Sequence, residues 1–206
     1  METNDSYLEN VYNYIAKDFN TSRYKVWKTV ANFLESLPKN SKVLEVGCGN
    51  GKNMLYRNDL KFTGIDFSQE MINICKNKKL TVYKANMLEL PFLNRSFDVV
   101  ISVASLHHLD SFEKRQLAIK EMLRVLDFNG LVFIQVWALD KKFNTSDQLI
   151  PFKPRDNKSE IMYRYYHFYK QYELEKEILS LKQKLHITHQ FYEKGNWGII
   201  ARKLIL

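Results

Sequence analysis

The chain has 206 residues, enough for one domain with a full hydrophobic core, and we expect no second catalytic module in it. Hydrophobic residues make up 45% of it and charged residues 26%, which is typical of folded globular domains and argues against long disorder. The net charge of +8 is compatible with a polyanionic partner such as a nucleic acid, but it is also common in proteins that merely stay in solution.

We expect no segment that targets the chain to a membrane or to secretion. No apolar run approaches the roughly 20 residues needed to cross a bilayer, and the polar, acidic N-terminus resembles neither a secretory signal nor a transit peptide. We therefore expect a protein of the cytosol or nucleus with no membrane association. Cys48 and Cys75 form no Cys-x-x-Cys pair and are expected to be reduced thiols.

In chain order, apolar spacing first predicts two helices within residues 5–37. Strand-like runs and helices then alternate, with Ser68 and Ser111 placed to cap two of the helices. This alternation predicts an α/β fold with a doubly wound, mostly parallel, Rossmann-like sheet. The predicted strands of the parallel part cover residues 43–46, 62–66, 80–85, 97–102 and 131–137.

Residues 139–172 interrupt the alternation with Pro151, Pro154 and a cluster of aromatic side chains. We interpret this segment as a substrate-binding insertion over the site. A helix over 173–181 follows, and two final β runs around Gly195 are predicted to pair as an antiparallel hairpin. The sheet then has seven strands, and the whole of 1–206 is predicted to be a single domain.

The first strand leads into a glycine-rich loop, with Gly47, Gly49 and Gly51 at alternate positions. Glycines let the chain turn sharply and bring bare backbone against a ligand, and Asp66 at the end of strand two can bind both hydroxyls of a ribose. A strand before the loop, a helix-compatible run after it and an acidic residue about 20 residues on are typical of a nucleoside-cofactor site. The pattern predicts S-adenosylmethionine (SAM), with a tight turn without ligand as the alternative. The expected cofactor contacts are Glu45, Gly47, Gly49, Gly51, Asp66, Phe67, Asn86, Met87 and Ser102.

His107 and His108 follow the fourth strand and would lie near the transferred methyl group. Without a carboxylate or cysteine at metal spacing they do not predict a metal site, so we favour substrate positioning or proton handling over a packed turn. Arg23, just before the second helix, could bind a carboxylate or a phosphate in a bidentate manner. Its alternative is a solvated surface charge beside a Trp27 that packs under the sheet.

The insertion contains seven basic residues between Lys141 and Lys170 against three acidic ones. Bases of an RNA loop could stack on its rings while Lys153, Arg155 and Arg164 contact phosphates. A hydrophobic lid with solvated lysines is the alternative.

Together these segments resemble the eukaryotic tRNA methyltransferases that esterify 5-carboxymethyluridine at the wobble position of the anticodon. Nearly the whole chain takes part, although Val26, Phe152 and Tyr172 stand where that family usually has proline, tryptophan and glycine. The segments that carry the resemblance are Arg23-Tyr-Lys-Val-Trp27, Ile101-Ser-Val-Ala-Ser-Leu-His-His108, Gln135-Val-Trp-Ala138, Asp147-Gln-Leu-Ile-Pro-Phe152, Tyr165-Tyr-His-Phe-Tyr-Lys-Gln-Tyr-Glu-Leu174 and Gly195-Asn-Trp197.

The resemblance implies methyl transfer from SAM to a carboxylate, which forms a methyl ester. A carboxylic acid with a pKa near 4 is already ionised at neutral pH, so no general base is required. Arg23 would hold the carboxylate, and His107 or His108 would donate a hydrogen bond to it; which histidine does so stays open. The expected substrate contacts are Tyr24, Trp27, Trp137, Arg155, Arg164, Tyr165, Tyr166 and His167.

The resemblance also implies two partners, a tRNA anticodon loop and a small zinc-binding activator protein that pairs with an exposed edge strand, here residues 80–85. An unpaired edge favours such strand addition, although the lysines at 78, 79 and 84 could simply guard it. Two other functions remain open: a SAM-dependent methyltransferase of a small molecule such as a quinone precursor, and a catalytically silent RNA-binding subunit.

Overall fold

The computed structural model describes residues 5–152 and 160–205. Its main layer is a seven-stranded sheet in the order β3-β2-β1-β4-β5-β9-β8. The strands are β1 (Lys42–Val46), β2 (Lys61–Asp66), β3 (Val82–Lys84), β4 (Phe97–Val103), β5 (Leu126–Trp137), β6 (Asp147–Phe152), β7 (Met162–His167), β8 (Leu185–Glu193) and β9 (Asn196–Lys203). The helices are α1 (Asp5–Ser22), α2 (Lys28–Glu35), α3 (Gln69–Asn77), α4 (Phe112–Val125) and α5 (Glu173–Ser180).

The sheet confirms the predicted topology. Strands β1 to β5 run parallel, and β9 and β8 add to β5 as an antiparallel hairpin. The central strands β1, β4 and β5 are rich in buried branched side chains because helices cover both faces. Strand β1 pairs with β2 on one side and with β4 on the other, so the chain order reverses there. The crevice beyond the carboxyl ends of these strands is where such sheets bind ligands.

Both predicted helix caps are present. The Ser68 hydroxyl accepts a hydrogen bond from the Met71 amide at 3.2 Å, and the Ser111 hydroxyl accepts one from the Lys114 amide at 3.1 Å. Each bond satisfies an amide that has no partner within the first turn of its helix. The caps therefore fix where the chain leaves the sheet after strands β2 and β4.

The helix-compatible run after the glycine loop is not a helix, which corrects the sequence-based prediction. Residues 52–60 form successive turns. Asn53 turns inward to Glu45, and the Arg57 guanidinium donates to the carbonyl oxygens of Leu34 at 2.7 Å and Leu37 at 2.9 Å. These long-range bonds hold the segment against the end of α2, and they outweigh its local preference for helix.

The insertion contains regular structure that the sequence reading did not predict. Strands β6 and β7 pair as an antiparallel two-stranded sheet outside the main one. The insertion reaches the main fold through Tyr169, whose amide bonds to the Trp137 carbonyl oxygen at 2.9 Å. Strand β7 also packs against α1 and against the turn at Leu106–His108. The hairpin thus forms one wall of the crevice.

The two edges of the sheet differ in length. Strand β3, predicted over residues 80–85, has only three residues in the structure, whereas β8 at the opposite edge has nine. None of the described helices is both long enough and apolar enough to span a lipid bilayer.

Candidate active site

A cavity opens at the carboxyl ends of β1, β2 and β4, where the topology places a ligand site. One side, which we call the cofactor side, is formed by the glycine loop and the ends of the strands. The other, which we call the acceptor side, is formed by α1, the turn at Leu106–His108 and strand β7. The cavity brings together most of the residues predicted to bind cofactor or substrate. These are Arg23, Trp27, Glu45, Gly47, Gly49, Asp66, Phe67, Asn86, Met87, His107, His108, Trp137, Arg164 and Tyr166.

Gly47 illustrates why the loop needs glycine. Its φ is +76°, a conformation that L side chains rarely adopt, and an added Cβ would lie 2.4 Å from the Ser105 Cβ. The Ser105 hydroxyl is itself held by the Val46 carbonyl oxygen at 2.9 Å and by the Ser102 hydroxyl at 2.8 Å. The loop backbone is therefore pressed against a fixed neighbour on one side and exposed to the cavity on the other.

Asp66 lies at the end of β2 with both carboxylate oxygens oriented by backbone. One oxygen accepts from the Gly49 amide at 2.8 Å and the other from the Ser68 amide at 3.0 Å. Burial raises the pKa of Asp66 to about 6, although these amides favour the ionised form. At neutral pH the site presents a carboxylate able to accept hydrogen bonds from ribose hydroxyls.

Glu45 has a buried carboxylate with an incomplete set of partners. Oε1 accepts from Asn53 Nδ2 at 2.6 Å, while Oε2 has no hydrogen-bond partner among the described residues. Burial raises the pKa of Glu45 to about 8, against the opposing effects of Asn53 and Lys52. A buried carboxylate oxygen that faces a cavity without a partner suits the cationic amino group of a methionine moiety.

Glutamine at position 45 should therefore weaken SAM binding while stabilising the ligand-free protein. Because the folded pKa is raised, the stability contribution of Glu45 is present at low pH and is lost as pH rises from about 4 to about 8. We expect Glu45→Gln to be more stable than the wild type by about 1–3 kcal/mol at pH 8.5 and by less at pH 5. Urea denaturation at both pH values, with calorimetric SAM titration, measures the two effects; equal SAM affinity would contradict the assignment.

The hydrogen bonds of the histidine pair define its tautomers. His108 Nδ1 lies 2.8 Å from the Tyr165 carbonyl oxygen, which can only accept, so the proton is on Nδ1. The Tyr12 hydroxyl lies 2.6 Å from His108 Nε2 and donates to it. Burial lowers the pKa of His108 to about 3, so the ring is neutral. Both of its nitrogens are thus occupied by the protein.

His107 has the opposite arrangement. Its Nδ1 accepts from the Trp137 amide at 3.3 Å, which places the proton on Nε2. Burial and the neighbouring His108 hold the pKa of His107 well below its usual range. Among the described residues no hydrogen bond is made by Nε2. His107 is therefore the member of the pair with an N–H left for a ligand, and Tyr12, which the sequence reading missed, is what occupies His108.

Arg23 lies at the mouth of the cavity and is tied to the glycine loop. Asn50, which is buried, donates from Nδ2 to the Arg23 carbonyl oxygen at 2.9 Å. Lys78 Nζ donates to the Asn50 carbonyl oxygen at 2.7 Å. Tyr24, by contrast, is 69% exposed and does not line the cavity, so its placement does not support its predicted substrate contact.

A wall of stacked rings runs along the acceptor side. Tyr166 stacks on His107 with centroids 5.0 Å apart and on Trp137 at 4.7 Å. Phe168 continues the stack beyond Tyr166 at 5.7 Å. His107, Trp137 and Tyr166 line the cavity, and their rings offer a surface on which a planar heterocyclic ligand could stack.

Several residues predicted to contact ligands lie elsewhere, and the reasons are geometric. Tyr165 and His167 occupy the opposite face of β7 from Arg164 and Tyr166, since alternate residues of a strand point to opposite sides. Ser102 is buried behind the loop, where it bonds to Ser105. Gly51, a predicted cofactor contact, faces away from the cavity, since a Cβ added there would meet Leu80 and Cys75. Arg155, a predicted substrate contact, lies outside the described residues.

His167 instead joins the insertion to α5. Its Nδ1 lies 2.7 Å from an Asp147 carboxylate oxygen and its Nε2 lies 2.9 Å from a Glu173 oxygen. Ligand atoms of His167, Glu173 and Glu177 lie within 4.8 Å of one another, a spacing that could hold a metal ion. However, Glu177 is already paired with Arg115 at 2.9 Å. The cluster therefore has protein partners for its charges.

The His167 bridge predicts a pH-dependent contribution to stability. Burial lowers the pKa of His167, but the bonds to Glu173 and Asp147 outweigh it and raise the pKa above its usual value. A raised folded pKa means that the contribution is complete below about pH 6.5 and is lost as pH rises through the folded pKa. His167→Gln should thus cost about 1 kcal/mol at pH 5.5 and less at pH 9. Urea denaturation at both values tests this; a cost that does not change with pH would contradict it.

The sequence is similar to known proteins over nearly the whole chain. A methyltransferase-domain family matches residues 44–134. A tRNA (carboxymethyluridine(34)-5-O)-methyltransferase of Schizosaccharomyces pombe is 30% identical, over 98% of this chain and 99% of that protein. The chain belongs to the family of the tRNA (carboxymethyluridine(34)-5-O)-methyltransferases. Similar enzymes of the same name from Xenopus tropicalis and Arabidopsis thaliana are 29% and 40% identical, over 96% and 68% of this chain. The chain spans only 41% and 35% of the lengths of those two proteins.

Solved structures confirm the fold of this family member. A SAM-dependent methyltransferase from Clostridium acetobutylicum superposes with a TM-score of 0.71, at 17% identity, over 95% of this chain and all of that one. A structure of the complex between the Haloferax volcanii Trm112 methyltransferase activator and a methyltransferase matches with a TM-score of 0.72, at 14% identity, over 97% of both chains. The fold is that of a class I SAM methyltransferase.

SAM is the cofactor of this domain, and the residues of the cavity fit it. The unpartnered oxygen of Glu45 suits the methionine amino group, and Asp66 suits the ribose. Asn86 lies at the end of the predicted third strand, where its amide can bond the adenine. When bound, SAM supplies the electrophilic methyl group.

Proposed function

We propose that this protein transfers the methyl group of SAM to the carboxylate of 5-carboxymethyluridine at the wobble position of a tRNA, forming the methyl ester. The single observation that carries this proposal is the charge distribution of the cavity. On the acceptor side the described lining contains arginine and two histidines that burial keeps neutral, and its acidic residues, Glu45 and Asp66, are on the cofactor side. Such a site suits an anionic acceptor.

The chemistry needs alignment more than proton transfer. A carboxylate is a nucleophile without deprotonation, so neither histidine has to act as a base. The His107 N–H orients the acceptor, and the stacked rings of Tyr166 and Trp137 hold the uracil. The names of the relatives support the tRNA substrate, because those enzymes are named for carboxymethyluridine 34 of tRNA.

We also propose that β3 is the docking edge for a small zinc-binding activator, supported by the Trm112 complex among the similar folds. The Ala85 amide bonds to the Asp66 carbonyl oxygen and the Thr81 carbonyl oxygen bonds to Gly64. Since alternate residues of a strand face the same neighbour, the Lys84 amide points away from the sheet. Lys84→Pro should therefore abolish co-purification with the activator.

Lys84→Ala is the matched control for this edge. It removes the ion pair with Glu9 at 2.6 Å but keeps the outward amide, so the complex should persist. Retained complex with Lys84→Pro would count against strand addition, as would co-expression that changes neither solubility nor SAM binding.

Labelled SAM tests the main proposal directly. The protein, with its activator, is incubated with tRNA that carries 5-carboxymethyluridine and with the same tRNA carrying unmodified uridine. We expect label on the first RNA alone, in a form released by mild alkali as an ester should be. No label on either RNA would remove the proposal, and label on a quinone precursor instead would favour the small-molecule alternative. Absence of SAM binding in a calorimetric titration would favour a catalytically silent RNA-binding subunit.

A further inference from the structure

Arg164 is a buried cation with an unusual set of neighbours. The side chain is only 7% exposed and lines the cavity from strand β7. Its guanidinium carbon lies 5.2 Å from the ring centroids of both Phe152 and Tyr166. The two rings hold the guanidinium and allow it few alternative positions.

No acidic side chain within the described ranges 5–152 and 160–205 forms an ion pair with Arg164. Its Nε is buried without a hydrogen-bond partner, and the polar groups that interact with the Arg164 side chain include the hydroxyls of Tyr12 and Tyr166, which are neutral because burial raises the pKa of both. Arginine remains charged when buried, and a buried charge without a counter-ion is strongly unfavourable. The protein therefore maintains a positive charge in the cavity for which the described residues supply no anion.

The same charge acts on the histidine pair. After burial, the Arg164 charge is among the causes that lower the pKa of His107 and of His108. The acceptor side thus combines one fixed cation with neutral rings. The resemblance implied that Arg23 holds the carboxylate. Arg23 lies exposed at the mouth of the cavity, where solvent weakens any ion pair.

We propose that Arg164 is the residue that binds the carboxylate of the acceptor and selects a charged acceptor over a neutral one. This inference rests on the proposed function. The carboxylate would replace the missing counter-ion, with the His107 N–H as a second donor. Arg23 would then contact the RNA at the mouth of the cavity.

The test uses two anticodon stem-loop RNAs that differ only at the wobble base. One carries 5-carboxymethyluridine and the other carries the neutral 5-carbamoylmethyluridine, so all phosphate contacts are shared. Binding is measured with the protein saturated with S-adenosylhomocysteine and in complex with its activator. We expect the wild type to prefer the carboxylate RNA at least 10-fold and Arg164→Gln to lower that preference to less than 2-fold, because affinity for the carboxylate RNA falls by a larger factor than affinity for the neutral RNA.

Arg23→Gln is the matched control and should lower the affinity for both RNAs by the same factor. The proposal is overturned if Arg164→Gln keeps the preference, if it weakens both RNAs by the same factor, as a phosphate contact would, or if Arg23→Gln alone removes the preference. Should Arg164→Gln not fold, Arg164→Lys decides: it retains a charge without the planar guanidinium, so the preference should fall at least threefold while SAM affinity is kept. An unchanged preference in Arg164→Lys overturns the assignment.

The failure of the proposed function is distinguishable from the failure of this inference. A wild-type protein that neither prefers nor methylates the carboxymethyl RNA removes both. If the wild type prefers and methylates the carboxymethyl RNA but the Arg164 variants keep that preference, the inference about Arg164 fails and the proposed function stands.

Discussion

Gly47→Ala is expected to lower SAM affinity by more than 100-fold. The substitution introduces two penalties, a left-handed backbone at φ +76° and a Cβ placed 2.4 Å from the Ser105 Cβ. Ser105 cannot withdraw easily, because its hydroxyl is bonded to the Val46 carbonyl oxygen and to Ser102. The loop must therefore move toward the cavity, into the space of the cofactor. Isothermal titration with SAM and S-adenosylhomocysteine measures the loss.

Gly195→Ala is the matched control for the backbone penalty. Gly195 has φ +80°, but an added Cβ would meet nothing within 4 Å. Gly195→Ala should lower the free energy of unfolding by only about 1 kcal/mol, which is the penalty for placing a residue with a Cβ in the left-handed backbone region. SAM affinity should stay within twofold of the wild type. Similar affinity losses in both variants would show that the backbone conformation, and not the contact with Ser105, determines the effect.

Arg115→Ala is expected to have the largest effect on stability, about 3–5 kcal/mol. The Arg115 and Glu177 side chains are 6% and 3% exposed and their charged atoms lie 2.9 Å apart. Removal of the arginine leaves the buried Glu177 carboxylate with the Tyr169 hydroxyl, at 3.0 Å, as its side-chain hydrogen-bond partner within the described part of the chain. Glu177 must then take up a proton or remain uncompensated, so the variant should lose further stability as pH rises. Urea denaturation at pH 5.5 and 8 measures both effects.

Two controls separate burial from charge. Lys84→Ala breaks the exposed pair with Glu9 and should cost no more than about 1 kcal/mol. The double variant Arg115→Met, Glu177→Leu should recover most of the loss, because apolar replacements remove both buried charges. A cost of Arg115→Ala similar to that of Lys84→Ala would mean that the buried pair contributes little.

The cofactor side was predictable because its information is local. The glycines, Glu45 and Asp66 stand at fixed distances from strand ends, and a parallel sheet brings those ends together. The turns after the loop were not predictable, since Arg57 reaches carbonyl oxygens about 20 residues away in sequence. Local preference indicated helix, and tertiary hydrogen bonds prevented it.

The acceptor side was predictable in composition but not in role. The choice between His107 and His108 depends on Tyr12, 96 residues from its partner, and on the Tyr165 carbonyl oxygen, 57 residues away. Tyr165 and His167 are predicted as substrate contacts from the resemblance of the aromatic motif, which does not say which residues of the segment share a face. Had it been recognised as a strand, alternation would have assigned Arg164 and Tyr166 to one face and these two residues to the other.

Asn50 has a mechanical role in this arrangement. Its side chain holds the backbone at Arg23, and its carbonyl oxygen is held by Lys78 on the far side of the loop. Asn50 therefore links the segment that precedes α2 to the glycine loop through hydrogen bonds. In-line displacement tolerates little error in the distance between donor and acceptor atoms, about 3–3.5 Å at the reactive geometry. A displacement of the glycine loop should therefore carry the segment at Arg23 with it, which keeps the distance between the cofactor and the cavity mouth nearly constant.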